Sequence, residues 1–326
     1  MQILITGAGG MLGRKLAARF SDDPRVDGLL LADLTPPDPP QGFEAKTQSH
    51  GVDLSNPQSA DRLLEDAPSA IIHLAAIVSG EAEADFEKGY RVNVDGTRAL
   101  LEAVRARQAA TVGAETYRQR FVFSSSLAVF GPPLPDLIGD DQRLTPRSSY
   151  GAQKAIGELL VADFHRKGFV DGVSLRLPTI SVRPGAPNKA ASSFYSSIIR
   201  EPLNGEMAYV PVPRETRHWF QSPRAAVKNL VHAVFANLDD VGFERTINLP
   251  GCSASVVEML EALERVAGPK ALAFVEDRLE PAIVDIVLGW PRAFDAERAL
   301  KLGFVGENVF DEIVHTYVED DMPQTS

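Results

Sequence analysis

The chain has 326 residues, 44% hydrophobic and 24% charged, which is the balance of a soluble globular protein with two domains or one large α/β unit plus a lobe. A net charge of −11 with no basic stretch argues against nucleic acid as a partner, and the lone Cys252 excludes an internal disulfide and fits a reducing compartment. No apolar run approaches the roughly 20 residues a bilayer requires, and Met1 leads directly into a strand-like run that leaves no room for a signal peptide. The expectation is a cytoplasmic protein with neither membrane nor nucleic acid as partner.

The chain opens with Gln2-Ile3-Leu4-Ile5-Thr6, a short β-favouring run, followed by Gly7-Ala8-Gly9-Gly10-Met11-Leu12-Gly13 and then a helix-patterned stretch through Phe20. Strand, glycine turn and helix is the order a dinucleotide site requires. A pyrophosphate must approach bare backbone N–H groups at the positive end of a helix, and glycines at 7, 10 and 13 keep Cβ atoms out of its way. Leu29 to Asp33 reads as the second strand, and its terminal carboxylate suits the ribose hydroxyls of an adenosine. Asp33 favours NAD over NADP; Arg14 is the one residue that pulls the other way.

Thr35 to Gly42 is too rich in proline for anything but a surface loop. Asp53-Leu54 precedes Ser55-Asn56-Pro57, where a helix is expected to open. That places Asp53 either at the adenine edge or at a helix start facing the macrodipole. Ala70 to Ala76 is a continuous apolar run, expected as a strand covered on both faces. Small Ala75 and Ala76 at its end leave space for a cofactor, and His73 reads as a core histidine because no histidine has metal-ligand spacing. No metal is expected.

From about Ala84 to Arg107 the spacing predicts one long helix with Phe86, Tyr90, Asn93, Thr97, Leu100 and Val104 facing inward. Asn93 on that stripe is either a satisfied core amide or a polar contact beside the cofactor or a proton-relay water. Gln108 to Gln119 is a polar connection without assigned meaning. Arg120 to Ser126 is a buried strand with serines 124 to 126 at the C-terminal end, the end that faces the ligand crevice in open α/β sheets. After a loop, a helix beginning near Ser149 carries Tyr150 and Lys154 one turn apart, with residues 152, 155, 156, 159, 160 and 164 expected to face the core.

Ser126, Tyr150 and Lys154 suit hydride transfer at a secondary alcohol. A free phenol titrates near 10, and a neighbouring ammonium favours the phenolate that can take the alcohol proton. Beyond Asp171 the pattern is less regular. A strand at Val173–Leu177 leads to Pro178 and a loop, with helices expected at 192–200, 225–237, 255–267 and 293–302 and a strand at 246–249. Arg183, Lys189 and Arg217 are candidate receptors for an anionic group, since a protein of this charge needs a local cation to hold one. Asn188, Ser192 and Ser193 could bind hydroxyls.

Thr6-Gly7-x-x-Gly10-x-x-Gly13, His73-Leu-Ala-Ala76, Asn93-Val-Asp-Gly96-Thr97, Ser124-Ser-Ser126 and Tyr150-Gly-x-x-Lys154 together resemble the extended short-chain dehydrogenase/reductase family. The resemblance implies a Rossmann-type doubly wound parallel sheet over about residues 1–180, with 215–250 packing back onto it and 181–326 forming mainly a smaller substrate-binding lobe. It implies NAD held by Gly7, Gly10, Met11, Leu12, Gly13, Asp33, Asp53, Leu54, Ala75, Ala76, Asn93, Ser124, Tyr150, Lys154 and Pro178. It implies catalysis by Ser126, Tyr150 and Lys154.

Dimerisation through the two long helices is implied as well, with Leu101, Leu159, Val161 and Phe164 as apolar positions for the partner. In the second half, Arg176 to Ser193, His218 to Arg224 and Val287 to Arg292 resemble family members that oxidise a small sugar acid. They depart from sugar-nucleotide epimerases, which usually follow the arginine at 217 with an aspartate. The expected substrate is therefore a small anionic carbohydrate. A nucleotide-sugar epimerase or dehydratase and a non-catalytic NAD-binding protein are the alternatives.

Overall fold

The apolar strand at the chain's start becomes the middle of a sheet because both of its faces are covered. In chain order the elements are β1 (Gln2–Thr6), α1 (Met11–Ser21), β2 (Gly28–Asp33), β3 (Thr47–Gly51), α2 (Gln58–Leu63), β4 (Ala70–His73), α3 (Ser79–Ala84), α4 (Phe86–Tyr90), a π-helical turn (Arg91–Gly96), α5 (Thr97–Ala110), β5 (Arg120–Ser126), α6 (Ser149–Arg166) and β6 (Asp171–Leu177). There follow β7 (Thr179–Ile180), α7 (Ser193–Leu203), β8 (Ala208–Val210), β9 (Arg217–Gln221), α8 (Pro223–Phe235), β10 (Thr246–Asn248), β11 (Cys252–Ser255), α9 (Val256–Ala267), β12 (Val275–Asp277), α10 (Pro281–Val287), α11 (Glu297–Lys301) and α12 (Phe310–Asp320). The computed structural model describes residues 1–110, 118–186 and 190–322. Residues 111–117 of the polar connection lie outside it.

The chain divides into two units. The first comprises Met1–Ser126, Ser148–Arg176 and Asn229–Ile247 and holds the mostly parallel seven-stranded sheet, ordered β3-β2-β1-β4-β5-β6-β10. That is the doubly wound Rossmann order, and the strand sequence reverses between β1 and β4. Ile3 pairs with Leu29 on one side and Ala70 on the other, both in parallel. The returning segment is fastened by a charge: Arg120 of β5 donates to the Ala233 and Ala236 carbonyls at the end of α8 and pairs with Asp171 of β6 at 2.7 Å.

Residues 127–147, 177–228 and 248–326 form the second unit. It contains a three-stranded sheet, β11-β9-β7, and a parallel pair, β12-β8. Phe194, Tyr195, Ile198, Phe220, Met259 and Phe310 are buried together at its centre. Ser255 closes a capping box with Glu258 at the start of α9, which satisfies two helix-end donors.

Several expected elements differ. The helix expected over 84–107 runs without a gap from Phe86 to Ala110, but α4 and α5 are joined inside it by a π turn. Phe86 is exposed and Tyr90 half-buried, so the inward stripe begins only at Asn93. On α6 the buried face carries Gln153, Lys154 and Glu158 with Gly151, Gly157, Val161 and Phe164, whereas Leu159 is 69% exposed and residues 152, 155, 156 and 160 are half-buried. Phe164 is buried as expected and Leu160 packs against the first unit's core; apolar periodicity missed Gln153 and Glu158, because polar side chains with buried partners look like solvent-facing ones in sequence. Leu101, Val161 and Phe164 belong to the first unit's own core, which leaves Leu159 alone of the four apolar positions expected to meet a second subunit. The strand expected over 70–76 stops at His73, β3 was not anticipated, and the helix expected over 293–302 covers only Glu297–Lys301.

Candidate active site

The glycine turn lies at the sheet's reversal point. Gly7 has φ +74°, and a Cβ there would stand 2.6 Å from the Ala75 nitrogen, so the β1 and β4 ends can meet only with glycine at this position. A Cβ on Gly13 would lie 2.4 Å from the Gly7 carbonyl oxygen. Gly9 is held on both sides: its N–H donates to Asp33 Oδ2 at 2.9 Å, and its carbonyl accepts from Arg14. Arg14 is thereby folded onto the turn. No side chain caps the start of α1, where Met11 and Leu12 are half-buried, so its first N–H groups keep the geometry that suits a pyrophosphate. The cradle fits the group the motif implies. Asp53 is exposed and accepts from Ser55 N at 2.9 Å, and Leu54 is buried beside Gly96.

A chain of hydrogen bonds runs behind this turn. Thr97 Oγ1 donates to the Asn93 carbonyl at 2.7 Å, so it accepts from His73 Nε2 at 2.9 Å. His73 Nδ1 then accepts from Thr6 Oγ1 at 2.7 Å. Burial, with Lys154 adding to it, pushes His73 down to about 3, so the ring is neutral as this single-tautomer chain demands. The core reading of His73 is met. Asn93 is also a satisfied amide: it accepts from Ile77 N at 2.8 Å and donates to Ile77 O at 3.0 Å and to Gln153 Oε1 at 2.7 Å. It thereby fixes the loop carrying the half-buried Ala75 and Ala76.

The serine strand end is shared among three tasks. Ser124 Oγ donates to the His73 carbonyl at 2.9 Å, and the Ser124 carbonyl accepts from Lys154 Nζ at 2.7 Å. Ser125 is buried against Glu158. Ser126, the last residue of β5, is half-buried. Tyr150, half-buried near the start of α6, sits with its ring centroid 5.6 Å from Lys154 Nζ, and Phe123 presents its ring at 4.8 Å. Burial lowers the Lys154 ammonium to about 7 against the opposing pull of Glu158. The side chain is therefore poised between charge states near neutral pH.

In the second unit, Pro178 is buried one residue before β7. Arg183 is half-buried, its guanidinium donating to the Ile180 carbonyl at 2.9 Å and to Ser192 Oγ at 3.1 Å. Arg217 differs: it pairs with Glu258 at 2.7 Å and donates to the Ser253 carbonyl at 3.1 Å. An incoming carboxylate there must displace a carboxylate already in place. Asn188 and Lys189 lie outside the described residues, and Ser193 opens α7 half-buried. Thr216, Arg217, Val287, Leu288, Trp290 and Arg292 line a cavity of about 340 Å³. Among the described residues no cluster of His, Cys, Asp and Glu could hold a metal ion, and no helix is long and apolar enough to cross a membrane.

Sequence reasoning assigned no buried polar role to Thr6, Gln153, Glu158 or Arg176. One signal was available. Arg176 interrupts an apolar strand covered on both faces, and a charge in that position demands a buried partner. For Gln153 and Thr6 no sequence signal separates a buried polar residue from an exposed one.

Comparisons with known proteins extend the reading beyond the motifs. The NAD dependent epimerase/dehydratase family model matches residues 3–240. D-erythronate dehydrogenase from Cupriavidus necator is 48% identical over 98% of this chain and 98% of its own length. D-erythronate dehydrogenase from Haemophilus influenzae is 43% identical over 99% of this chain and 100% of its own. A solved structure described as the nucleoside-diphosphate-sugar epimerase from Agrobacterium tumefaciens is 48% identical, with TM-score 0.94, covering 98% of this chain and 94% of that one.

Proposed function

The chain belongs to the NAD dependent epimerase/dehydratase family, and from that premise we propose that it oxidises a secondary alcohol of a small sugar acid, D-erythronate or a close relative, with NAD as acceptor. The observation that carries this is the run of 43–48% identity to D-erythronate dehydrogenases through both units, including the stretches beyond the dinucleotide motifs. When bound, NAD supplies a hydride acceptor. The chain supplies alignment and proton handling.

The N–H groups of the Gly7–Gly13 turn and the start of α1 hold the pyrophosphate, and Asp33 accepts from the adenosine ribose. Asp53 and Leu54 border the adenine, Ala75 and Ala76 form a wall kept in place by Asn93, and a Pro178 backbone group meets the carboxamide. Lys154, anchored on the Ser124 carbonyl, binds the nicotinamide ribose and keeps positive charge beside Tyr150. Tyr150 takes the hydroxyl proton as the C–H hydride departs, and Ser126 donates to the same oxygen.

Arg183 receives the substrate carboxylate, its guanidinium donating to the Ile180 carbonyl and Ser192 Oγ whereas Arg217 is engaged by Glu258. Ser192 and Asn188 take hydroxyls, and Lys189 is the second candidate cation. The exposed Leu159 with half-buried Ala152, Ala155 and Ile156 of α6 supports a homodimer, and the enzyme is read as cytoplasmic. Sedimentation giving only a 35.3 kDa species at micromolar concentration would remove the dimer.

A second reading, a nucleotide-sugar epimerase that regenerates its NAD, is favoured by the likeness to the Agrobacterium structure and by the arginine-lined cavity. One assay separates them. NADH release over C4 to C6 sugar acids and nucleotide sugars should respond to D-erythronate. Epimerised nucleotide sugar with no net NADH would install the second reading instead.

A further inference from the structure

Glu158 and Arg176 form an ion pair with side chains 4% and 8% exposed. The pairing is a fork: Arg176 Nε donates to Glu158 Oε1 at 2.9 Å and Nη2 to Oε2 at 2.8 Å. Ser125 Oγ adds a third donor to Oε1 at 2.5 Å. Stability alone does not account for such a group, since well-packed apolar side chains replace buried ion pairs at little or no loss.

Its neighbours suggest another purpose. Glu158 is one helical turn beyond Lys154 on the buried face of α6. Ser125, which it grips, lies between Ser124, whose carbonyl accepts from Lys154, and Ser126. The titratable and charged groups around the ammonium are Tyr150 and Glu158 of α6 and the neutral His73 of β4, with Arg176 of β6 behind Glu158.

We propose that Glu158, clamped by Arg176 and Ser125, is a positioning residue that keeps Lys154 charged beside Tyr150 and aligns the serine end of β5. Of the charges acting on Lys154, Glu158 favours the ammonium while burial opposes it. Arg176 fixes the carboxylate's distance and orientation, and Ser125 ties that carboxylate to the strand that carries Ser126. The proposal rests on the assignment of Tyr150 as base, and its deciding readout, the titration midpoint, is taken without substrate so that the two can fail separately.

The experiment is an ultraviolet difference titration of the Tyr150 phenolate in NAD⁺-saturated protein, each variant being compared with the same variant carrying Tyr150→Phe. Glu158→Gln removes the carboxylate and leaves the Arg176 cation, both of which drive the proton off the buried Lys154, so Tyr150 loses its neighbouring ammonium and its midpoint should rise by roughly one pH unit or more. The double variant Glu158→Gln/Arg176→Gln removes the stranded Arg176 cation and leaves only the Lys154 ammonium without its carboxylate. It should rise in the same direction by less, and it carries the test where the single variant does not fold by circular dichroism. Ser125→Ala keeps every charge and should lower kcat with the midpoint in place. A Glu158→Gln protein that folds and titrates with the wild-type midpoint overturns the proposal, whatever its kcat. So does a folded double variant with the wild-type midpoint.

Discussion

Each unit buries one histidine to 0% exposure, and the two are held in the same way. His73 accepts from Thr6 and donates to Thr97; His218 donates through Nδ1 to the Pro291 carbonyl at 3.0 Å and accepts from Thr179 at 2.7 Å. Burial pushes both rings down to about 3. Their surroundings diverge. Around His73 the polar groups connect onward to Asn93, Ser124 and Lys154. Both rings also meet aromatics, His73 with Phe121 at 6.0 Å and Phe123 at 5.9 Å, but around His218 they close in without a polar chain leading on, with Tyr195 stacked at 5.4 Å, Phe220 at 5.3 Å and Trp290 at 5.1 Å, and the Tyr195 hydroxyl is buried without a hydrogen-bond partner among the described residues. The same neutral cross-link thus rigidifies a polar relay in one unit and an aromatic floor in the other. The first unit carries the residues proposed for catalysis, and the second those proposed to receive the substrate.

The largest effect should come from breaking the first half of that contrast. Tyr150→Phe keeps the packing and should retain NAD affinity while turnover falls roughly 10²–10⁴-fold for every substrate. If more than about a tenth of the wild-type rate survives, the base lies elsewhere. Arg183→Ala probes the other half. Losing a desolvated cation costs roughly 2–5 kcal/mol, so kcat/KM for a four-carbon aldonate should drop by about 30-fold or more with its neutral polyol barely changed. Arg217→Ala should leave the ratio of acid to polyol near wild type. Equal losses on both substrates with Arg183→Ala would dissolve the division of labour.

Smaller effects sharpen the picture. Asp33 opposes a 2′-phosphate with about 1–4 kcal/mol of repulsion, so Asp33→Ser should narrow the NAD over NADP preference by roughly tenfold in kcat/KM. Comparable use of both cofactors by the wild type would defeat that assignment. The last test concerns the histidines themselves and reads stability rather than turnover. Their folded values lie below the unfolded 6.5, so between pH 6.5 and about 3 the unfolded chain binds the extra protons. Stability present above 6.5 should therefore fall with pH, by roughly 1.4 kcal/mol per unit for each histidine. Urea midpoints across that range should flatten by one such increment in His73→Phe and by one in His218→Phe. Unchanged slopes would mean that the rings protonate in place.

From the sequence alone the strand, glycine turn and helix at 2–20 were legible, as were the acid at the end of β2, the serine end of β5 and the Tyr150/Lys154 spacing. Each is a local pattern whose chemistry depends on residues close in the chain. Only the tertiary structure decided that α6 buries Gln153, Lys154 and Glu158 and turns Leu159 outward. The burial of a polar side chain depends on partners far away in sequence, here Asn93 and Arg176, and periodicity carries no record of them. The same holds for the arginines. Nothing local distinguishes Arg217, held by a carboxylate 41 residues later, from Arg183, held by a carbonyl and a hydroxyl. Hydrophobic pattern sets where the chain folds, whereas pairing across the fold sets which charges remain for chemistry.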